Sequence, residues 1–325
     1  MRLTMNISTF VYKKFLSARG VERSFWYIIK KLLINLLHDP GCVMPIHGKP
    51  LHLPLSHALP LYLNDWPFYD RLPGRISEYI HRKYGFIKCI DVGANIGDTI
   101  AAFYKDDQDR FLAIEPNKTF YKYLVQNWGG GAKNVEIFSG ACGAECRTVM
   151  YEVLENAGTA SLVTSENGTQ IALRSLDNIV AQNPDFADFN ILKIDTDGYD
   201  FEVIKGAQNI ISANLPVILF ECYPDAENAN YVEDVLGLLT RFSNIGYRYF
   251  LLYDNTGYLM GKYSLGHTDD FKRLLFYQLT RNFYYFDILL MKDVDIVPFY
   301  TSEIGFFVDA MRDKSLQRSA KAAVV

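Results

Sequence analysis

Four acids in this chain stand at or near the ends of short apolar runs. Asp91 sits near the end of Phe86 to Val92 and Glu115 follows Arg110 to Ile114. Asp195 follows Ile191 to Ile194, and Glu221 follows Val217 to Phe220. Carboxylates at the carboxyl ends of strands lie where open α/β sheets bind their ligands. The first two read as binding groups and the last two as proton-handling groups.

The binding pair is read with the turn between them. Asp91-Val92 leads into Gly93-Ala94-Asn95-Ile96-Gly97. Gly93 and Gly97 permit a tight turn and a close backbone approach to a ligand, and the next helix points its free N–H groups the same way. A dinucleotide fingerprint needs a glycine where this run has Asn95, and Asp91 is a poor neighbour for a phosphate. It suits a cationic end such as an α-amino group. Glu115, with Pro116 and Asn117 after it, offers a carboxylate to both hydroxyls of a ribose. The small residues around Ala141, after the third strand, let an adenine ring lie flat against backbone. Taken singly, each feature has a plain reading: a common βα turn, a solvated helix N-terminus, a packed small residue. Taken together they describe a nucleoside that carries an amino acid.

The proton-handling candidates are Asp195 first, Glu221 second and Asp197 third. Asp195 and Asp197 share a face if the chain stays extended. The competing reading is that Asp195, Asp197 and Asp200 cap the next helix and hold the loop, and for Asp200 that reading leads. Lys193 reads as a buried stem with a paired head. A divalent metal among Asp195, Asp197 and Glu221 is chemically conceivable, since hard cations take carboxylate oxygens, but acidic loops without an ion are common and no metal ligand is assigned.

These groups need a scaffold, and the sequence supplies one. Strand patterns at 86–92, 110–114, 135–138, 191–194 and 217–220 alternate with helical ones at 95–104, 117–126, 201–207 and 231–242, which implies a parallel sheet with helices on both faces. Two closing strands are expected at 247–253 and 284–291. Residues 147–175 break the rhythm as a β-excursion or loop, where Gly158-Thr159-Ala160-Ser161 reads as a flexible cover. Before the sheet, residues 39–75 are rich in proline, with Pro45, Pro50, Pro54, Pro60, Pro67 and Pro73 among them, which excludes a long helix. His57 in that stretch is a candidate for the acceptor pocket. The expected organisation is an N-terminal basic helical and Pro-rich extension over 1–75, a catalytic domain over 76–300 and a tail over 301–325.

The motifs Ile90 to Gly97, Ala113 to Asn117, Leu176 to Ile179 and Leu192 to Asp200, leading to Lys205-Gly206-Ala207, resemble those of the FkbM family of S-adenosylmethionine-dependent methyltransferases. They occur in the family's order over roughly residues 86–225. The family more often has Glu at the positions of Asp197 and Asp200, which keeps charge and shortens reach. The resemblance implies an α/β, Rossmann-like class I methyltransferase fold: a seven-stranded, mostly parallel sheet with an antiparallel last strand. It implies S-adenosyl-L-methionine as cofactor and O-methylation of a sugar, a glycoconjugate or a secondary metabolite.

Composition narrows the partners. The chain has 325 residues, 49% of them hydrophobic, and a net charge of −4, which gives no electrostatic reason to bind nucleic acid. Residues 1–38 are the exception: seven Lys and Arg against Glu22 alone give +6. Residues 25–37 read as a helix. It either meets a membrane surface or partner or, the favoured reading, packs on its own core with its lysines in water. No run approaches a membrane span and no leader is evident. Five scattered cysteines read as free, mostly buried thiols of a reducing, cytoplasmic setting. The rival readings are a nicotinamide-dependent oxidoreductase and a non-catalytic binding module. Asp195→Asn separates the latter from an enzyme, with a large fall in turnover and cofactor affinity kept. The oligomeric state is open.

Overall fold

The computed structural model describes residues 2–130, 134–156, 159–164, 168–224, 228–281 and 284–324. Its strands are β1 (Gly41–Ile46), β2 (Lys49–Pro54), β3 (Lys88–Val92), β4 (Arg110–Ile114), β5 (Val135–Phe138), β6 (Ala141–Cys142) and β7 (Arg147–Asn156). They continue with β8 (Thr159–Thr164), β9 (Thr169–Arg174), β10 (Ile191–Ile194), β11 (Val217–Cys222), β12 (Tyr249–Asp254), β13 (Leu259–Ser264) and β14 (Phe286–Leu290). A sheet of eight runs in the order β13-β12-β14-β11-β10-β3-β4-β5. The fold is α/β and Rossmann-like. The seven expected strands are all present, and β13 adds an eighth at the edge.

Contacts divide the chain into two compact units: Met1–Ile87, Asp91–Ala141 and Arg147–Leu173 form the first, and Lys88–Ile90, Cys142–Cys146 and Arg174–Val325 the second. Positions 75 and 300 lie inside the first and the second unit respectively, and a helix over Asp293–Ala310 runs through position 300.

In the first unit, β4 and β5 pair in parallel. The Arg110 N–H donates to Ile87 O and the Gly93 N–H to Ile114 O, so β3 runs parallel to β4. Phe111 to Ile114 are buried, as expected of strands covered on both faces. Helix Lys118–Trp128 begins at Asn117, whose side chain accepts from Thr119 N and Phe120 N, an N-cap of the usual kind. Within the excursion at 147–175 the described residues form strands: β7 pairs antiparallel with both β8 and β9, in a sheet of order β6-β9-β7-β8. Gly158 of the expected cover lies outside the described residues, and Thr159–Ser161 belong to β8. Pro45, Pro50 and Pro54 fall in the β1–β2 hairpin. A two-stranded hairpin tolerates proline on its outer edges.

The N-terminal segment forms two helices, Arg2–Ser17 and Gly20–Leu36. In the second, Lys31 is exposed as expected, but Lys30 is not in water and the outer face is apolar. Lys30 is 7% exposed, with its ammonium 4.1 Å from the centre of the Tyr12 ring. Meanwhile Val21, Phe25, Ile28, Leu32 and Leu36 are exposed. The burial of Lys30 has a physical reason, since an aromatic face compensates a desolvated ammonium.

In the second unit, β10 and β11 are parallel. β14 lies antiparallel between β11 and β12, and β12–β13 form an antiparallel hairpin. The helix Asp293–Ala310 contains Pro298 and buries Glu303, which accepts the Tyr253 hydroxyl at 2.8 Å. All five cysteines are free, and only Cys146 is exposed. No described helix is long and apolar enough to cross a membrane.

Candidate functional site

The glycine turn of the first unit is built from left-handed backbone: Gly93 has φ 82°, Asn95 49° and Gly97 84°. Asn is among the few side-chain-bearing residues that take this region readily. Glu115 latches the turn. Its Oε2 accepts the Asn95 N–H at 2.8 Å and its Oε1 the Asn117 N–H at 2.7 Å. One carboxylate thus joins the turns after β3 and β4.

The need for Gly97 has a different source from the expected one. A Cβ there would fall 2.3 Å from the Trp128 indole, whose Nε1–H donates to Gly97 O at 3.0 Å. Packing against the helix Lys118–Trp128 requires this glycine, as does its positive φ. Asn127 braces the same turn by donating to Ile96 O at 2.9 Å.

Asp91 is fully buried and Glu115 is 4% exposed. Ala94 and Ala141 are buried, while Gly93, Asn95 and Pro116 are half-buried. Asn117 serves as the cap described above. His57 reaches this turn: its Nε2 lies 3.2 Å from Asn95 Oδ1, and its ring meets Phe120 edge-on. Burial pushes the imidazole down to about 4, against a weaker pull upward from Asn95. It is neutral at neutral pH. Residues 91–98 and 114–117 contain two carboxylates besides Asp98 and no Lys or Arg. That donor set suits a cationic, hydroxyl-bearing ligand and opposes a diphosphate.

The second unit crowds acids at the ends of β10 and β11. Asp195 is bound to Lys193 at 2.8 Å, and Lys193 is 8% exposed. This is the buried stem and paired head that the sequence indicates. The loop then turns through Asp197 at φ 51° and Gly198 at φ 101°, so Asp195 and Asp197 do not continue as an extended pair. Asp200 is buried and holds the loop. Its Oδ2 accepts Thr196 N–H at 3.0 Å and the Thr196 hydroxyl at 2.6 Å, and its Oδ1 accepts the Glu221 N–H at 3.0 Å. Burial, then the Asp195 charge, raises the Asp200 carboxyl to about 6.

Glu221 is pushed well above the usual carboxylate range. Burial is the main cause, followed by the charges of Asp195, Asp287, Asp200 and Asp197. It lines a cavity of about 130 Å3 with Asp200, Lys205, Tyr199, Tyr223 and Tyr231. Lys205 is already paired with Glu202 at 2.5 Å. Sequence reasoning missed the tyrosines. The alternation Glu221-Cys222-Tyr223 carries a signal for one of them, since residues two apart share a strand face. Among the described residues no three His, Cys, Asp or Glu side chains are placed to hold a metal ion.

Residues 91–249 match the profile of a methyltransferase FkbM domain. Among solved structures, a methyltransferase FkbM from Methylobacillus flagellatus KT is 16% identical, with 56% of this chain covering 52% of that one at a TM-score of 0.34. The chain therefore spans about half the length of that relative. A putative caffeoyl-CoA O-methyltransferase from Staphylococcus aureus is 15% identical, covering 81% and 99% at 0.34. A SAM-dependent methyltransferase from Geobacter sulfurreducens, in complex with S-adenosyl-L-homocysteine, is 12% identical, covering 69% and 90% at 0.37. Among curated proteins nothing matches the chain.

Proposed function

We propose, from the premise that residues 91–249 are an FkbM methyltransferase domain, that this chain methylates a hydroxyl oxygen of a sugar, glycoconjugate or secondary metabolite, with S-adenosyl-L-methionine as donor. The observation that carries the reading is the left-handed turn from Gly93 to Gly97, latched by Glu115 between two strand ends. Bound there, the donor supplies a methyl group on a positively charged sulfur, already activated for in-line displacement.

The first unit supplies the binding groups. Asp91 holds the α-ammonium, and Glu115 accepts the ribose hydroxyls with the acceptor capacity that a carboxylate keeps beyond two N–H bonds. Gly93, Ala94, Asn95, Gly97, Pro116 and Asn117 form the walls of the two turns, and Ala141 leaves room for the adenine.

The second unit supplies the acceptor side. A neutral alcohol is a poor nucleophile and must lose its proton as the methyl group moves. Glu221 is the better base on geometry, because it lines a cavity and burial and neighbouring acids raise its basicity. Asp195, first in the sequence reading, becomes the group that tunes Glu221 through its charge, with Lys193 fixing its position. Asp197 adds to the same field. Tyr199, Tyr223 and Tyr231 offer flat faces and hydroxyls to a sugar ring. No residue is assigned to a metal. The free thiols agree with a reducing, cytoplasmic setting.

A tritiated-methyl transfer screen against cell-envelope sugars and nucleotide sugars, with and without chelator, tests the reading. Label is expected in a sugar hydroxyl, with chelator having no effect. Absence of S-adenosylhomocysteine binding by calorimetry, or tight dinucleotide binding in its place, overturns it.

A further inference from the structure

The helix Gly20–Leu36 wears apolar residues on the outside. Val21 is 88% exposed, Phe25 54%, Ile28 57%, Leu32 48% and Leu36 71%. At 100° per residue these five fall within an arc of about 80° on one face. The opposite face carries Lys30, buried over the Tyr12 ring, and Arg23, paired with Asp65 at 2.6 Å. Ile29, Leu33 and Ile34 are half-buried, so the helix is apolar on its outer face as well as toward the protein, against the usual order of apolar inward and charged outward.

The patch continues onto the preceding helix. Phe10, itself 54% exposed, meets the Trp26 ring at 5.8 Å, and Trp26 meets Phe25 at 5.3 Å. Cations border it. Lys13, Lys14, Arg19 and Lys31 are exposed. The Lys14 ammonium lies 5.7 Å from the Phe10 ring centre and that of Lys31 4.9 Å from Tyr27. Glu22 is the only acid in residues 1–38.

We propose that this helix pair is an in-plane anchor for an anionic lipid surface, with Val21, Phe25, Ile28, Leu32 and Leu36 entering the headgroup–acyl boundary and the basic rim meeting lipid phosphates. A helix with one apolar face, aromatic residues and a basic border is the form such anchors take. Charge selects the occupant. A symmetric second copy would bring the same cations against the same rim, and like charges there oppose pairing. An anionic membrane meets the rim with the opposite sign. No described helix is long and apolar enough to cross a membrane, and attachment through this face is reversible and salt-sensitive.

Co-sedimentation of the full chain with phosphatidylcholine vesicles, with and without phosphatidylglycerol, tests this. Binding is expected to be at least about tenfold stronger on the anionic vesicles and to weaken as salt is raised. Ile28→Glu with Leu32→Glu is expected to reduce it by more than about tenfold, with an unchanged melting temperature because both positions are exposed. Lys13→Glu with Lys31→Glu should remove the preference for anionic lipid. Should the Glu pair unfold the chain, Phe25→Ser with Leu36→Ser asks the same question. Equal vesicle binding by the wild-type chain and a folded variant of the apolar face overturns the proposal. So does absence of vesicle binding. A dimer in light scattering that Ile28→Glu and Leu32→Glu convert to monomer, without vesicle binding, assigns the face to a second copy instead.

Discussion

The two units treat carboxylates at strand ends in opposite ways. In the first, the oxygens of Glu115 accept backbone N–H groups at 2.7 and 2.8 Å. Such bonds favour the charged form and fix its position. In the second, Asp195, Asp197, Asp200 and Asp287 all act on Glu221, and each pushes its carboxyl upward. Lys193 is held by Asp195 and Lys205 by Glu202. The first arrangement keeps a fixed negative charge for a ligand to meet. The second raises a carboxyl well above its ordinary range and so makes its carboxylate a stronger base, which is what general-base chemistry needs. The lesson is that strand-end position alone does not set a carboxylate's task; the donors or charges around it do.

The sharpest way to break this contrast is to remove the proton acceptor without touching the binder. Glu221→Gln is expected to lower turnover by about a thousandfold, the usual range for a general base. S-adenosylhomocysteine affinity by calorimetry should stay within about twofold. A fall in donor affinity of the same size as the fall in turnover would mean that Glu221 is not a dedicated acceptor-side group.

The reverse experiment addresses the latch. Glu115→Ala removes two bonds from backbone donors to a charged acceptor, each worth about 1.5–3 kcal/mol. The turn from Gly93 to Gly97 loses its tie, and donor affinity should fall by about a hundredfold or more. Glu115→Gln keeps one accepting oxygen and should fall in between. Equal affinity in all three proteins would show that the latch does not shape the donor site.

Protonation separates the regions again. His57, held in its neutral form at about 4, has a folded-state value below its unfolded one near 6.5. Stability from that source is fully present above pH 6.5 and is lost as pH falls toward 4, by about 3 kcal/mol. Asp200 has the opposite sign. Its carboxyl is raised to about 6, so its contribution is best below pH 4 and declines as pH rises through 6. Acidification from pH 7 to 4 should therefore speed hydrogen exchange, after correction for intrinsic rates, at the Asn95 turn and leave the Thr196–Asp200 loop protected. A His57→Gln chain should lose that acid sensitivity. Uniform loosening of both segments would count against the assignment.

Much of this was readable in the residues. The strands over 88–92, 110–114, 135–138, 191–194 and 217–222 are short, apolar and bounded by turn residues, and the alternation of strand and helix declares the sheet. The glycine turn announced itself through Gly93 and Gly97, and the loop-holding role of Asp200 followed from its place before a helix. What stayed hidden depends on long-range packing. Nothing in Glu115 tells that its oxygens will be taken by Asn95 and Asn117. Nothing in Gly97 reveals Trp128, thirty-one positions away. The helix Asp293–Ala310 contains Pro298 and Gly305, residues that weaken a helical pattern, while its buried Ile296, Phe299, Glu303 and Val308 keep it whole. The edge strand Leu259–Ser264 is half-buried throughout, so it shows no alternation to find. The helix Gly20–Leu36 misled for a simpler reason: a periodic apolar stripe says that a face exists and not which way it turns.

The smallest expected effect is also the most discriminating. After burial, Asp195 is the leading cause of the raised Glu221 carboxyl. Asp195→Asn removes that charge and keeps the side chain's size. The charged form of Glu221 then becomes less unfavourable, so its pKa falls. The acid limb of the pH–turnover profile, which reports deprotonation of the base, should move to lower pH. Turnover on the alkaline plateau should drop only modestly, because a weaker base takes a proton less readily. If Asp195 were itself the base, the same change would collapse turnover at every pH and leave no limb to shift. The two assignments thus predict different curve shapes from one variant, and the shape, more than the size of the loss, decides between them.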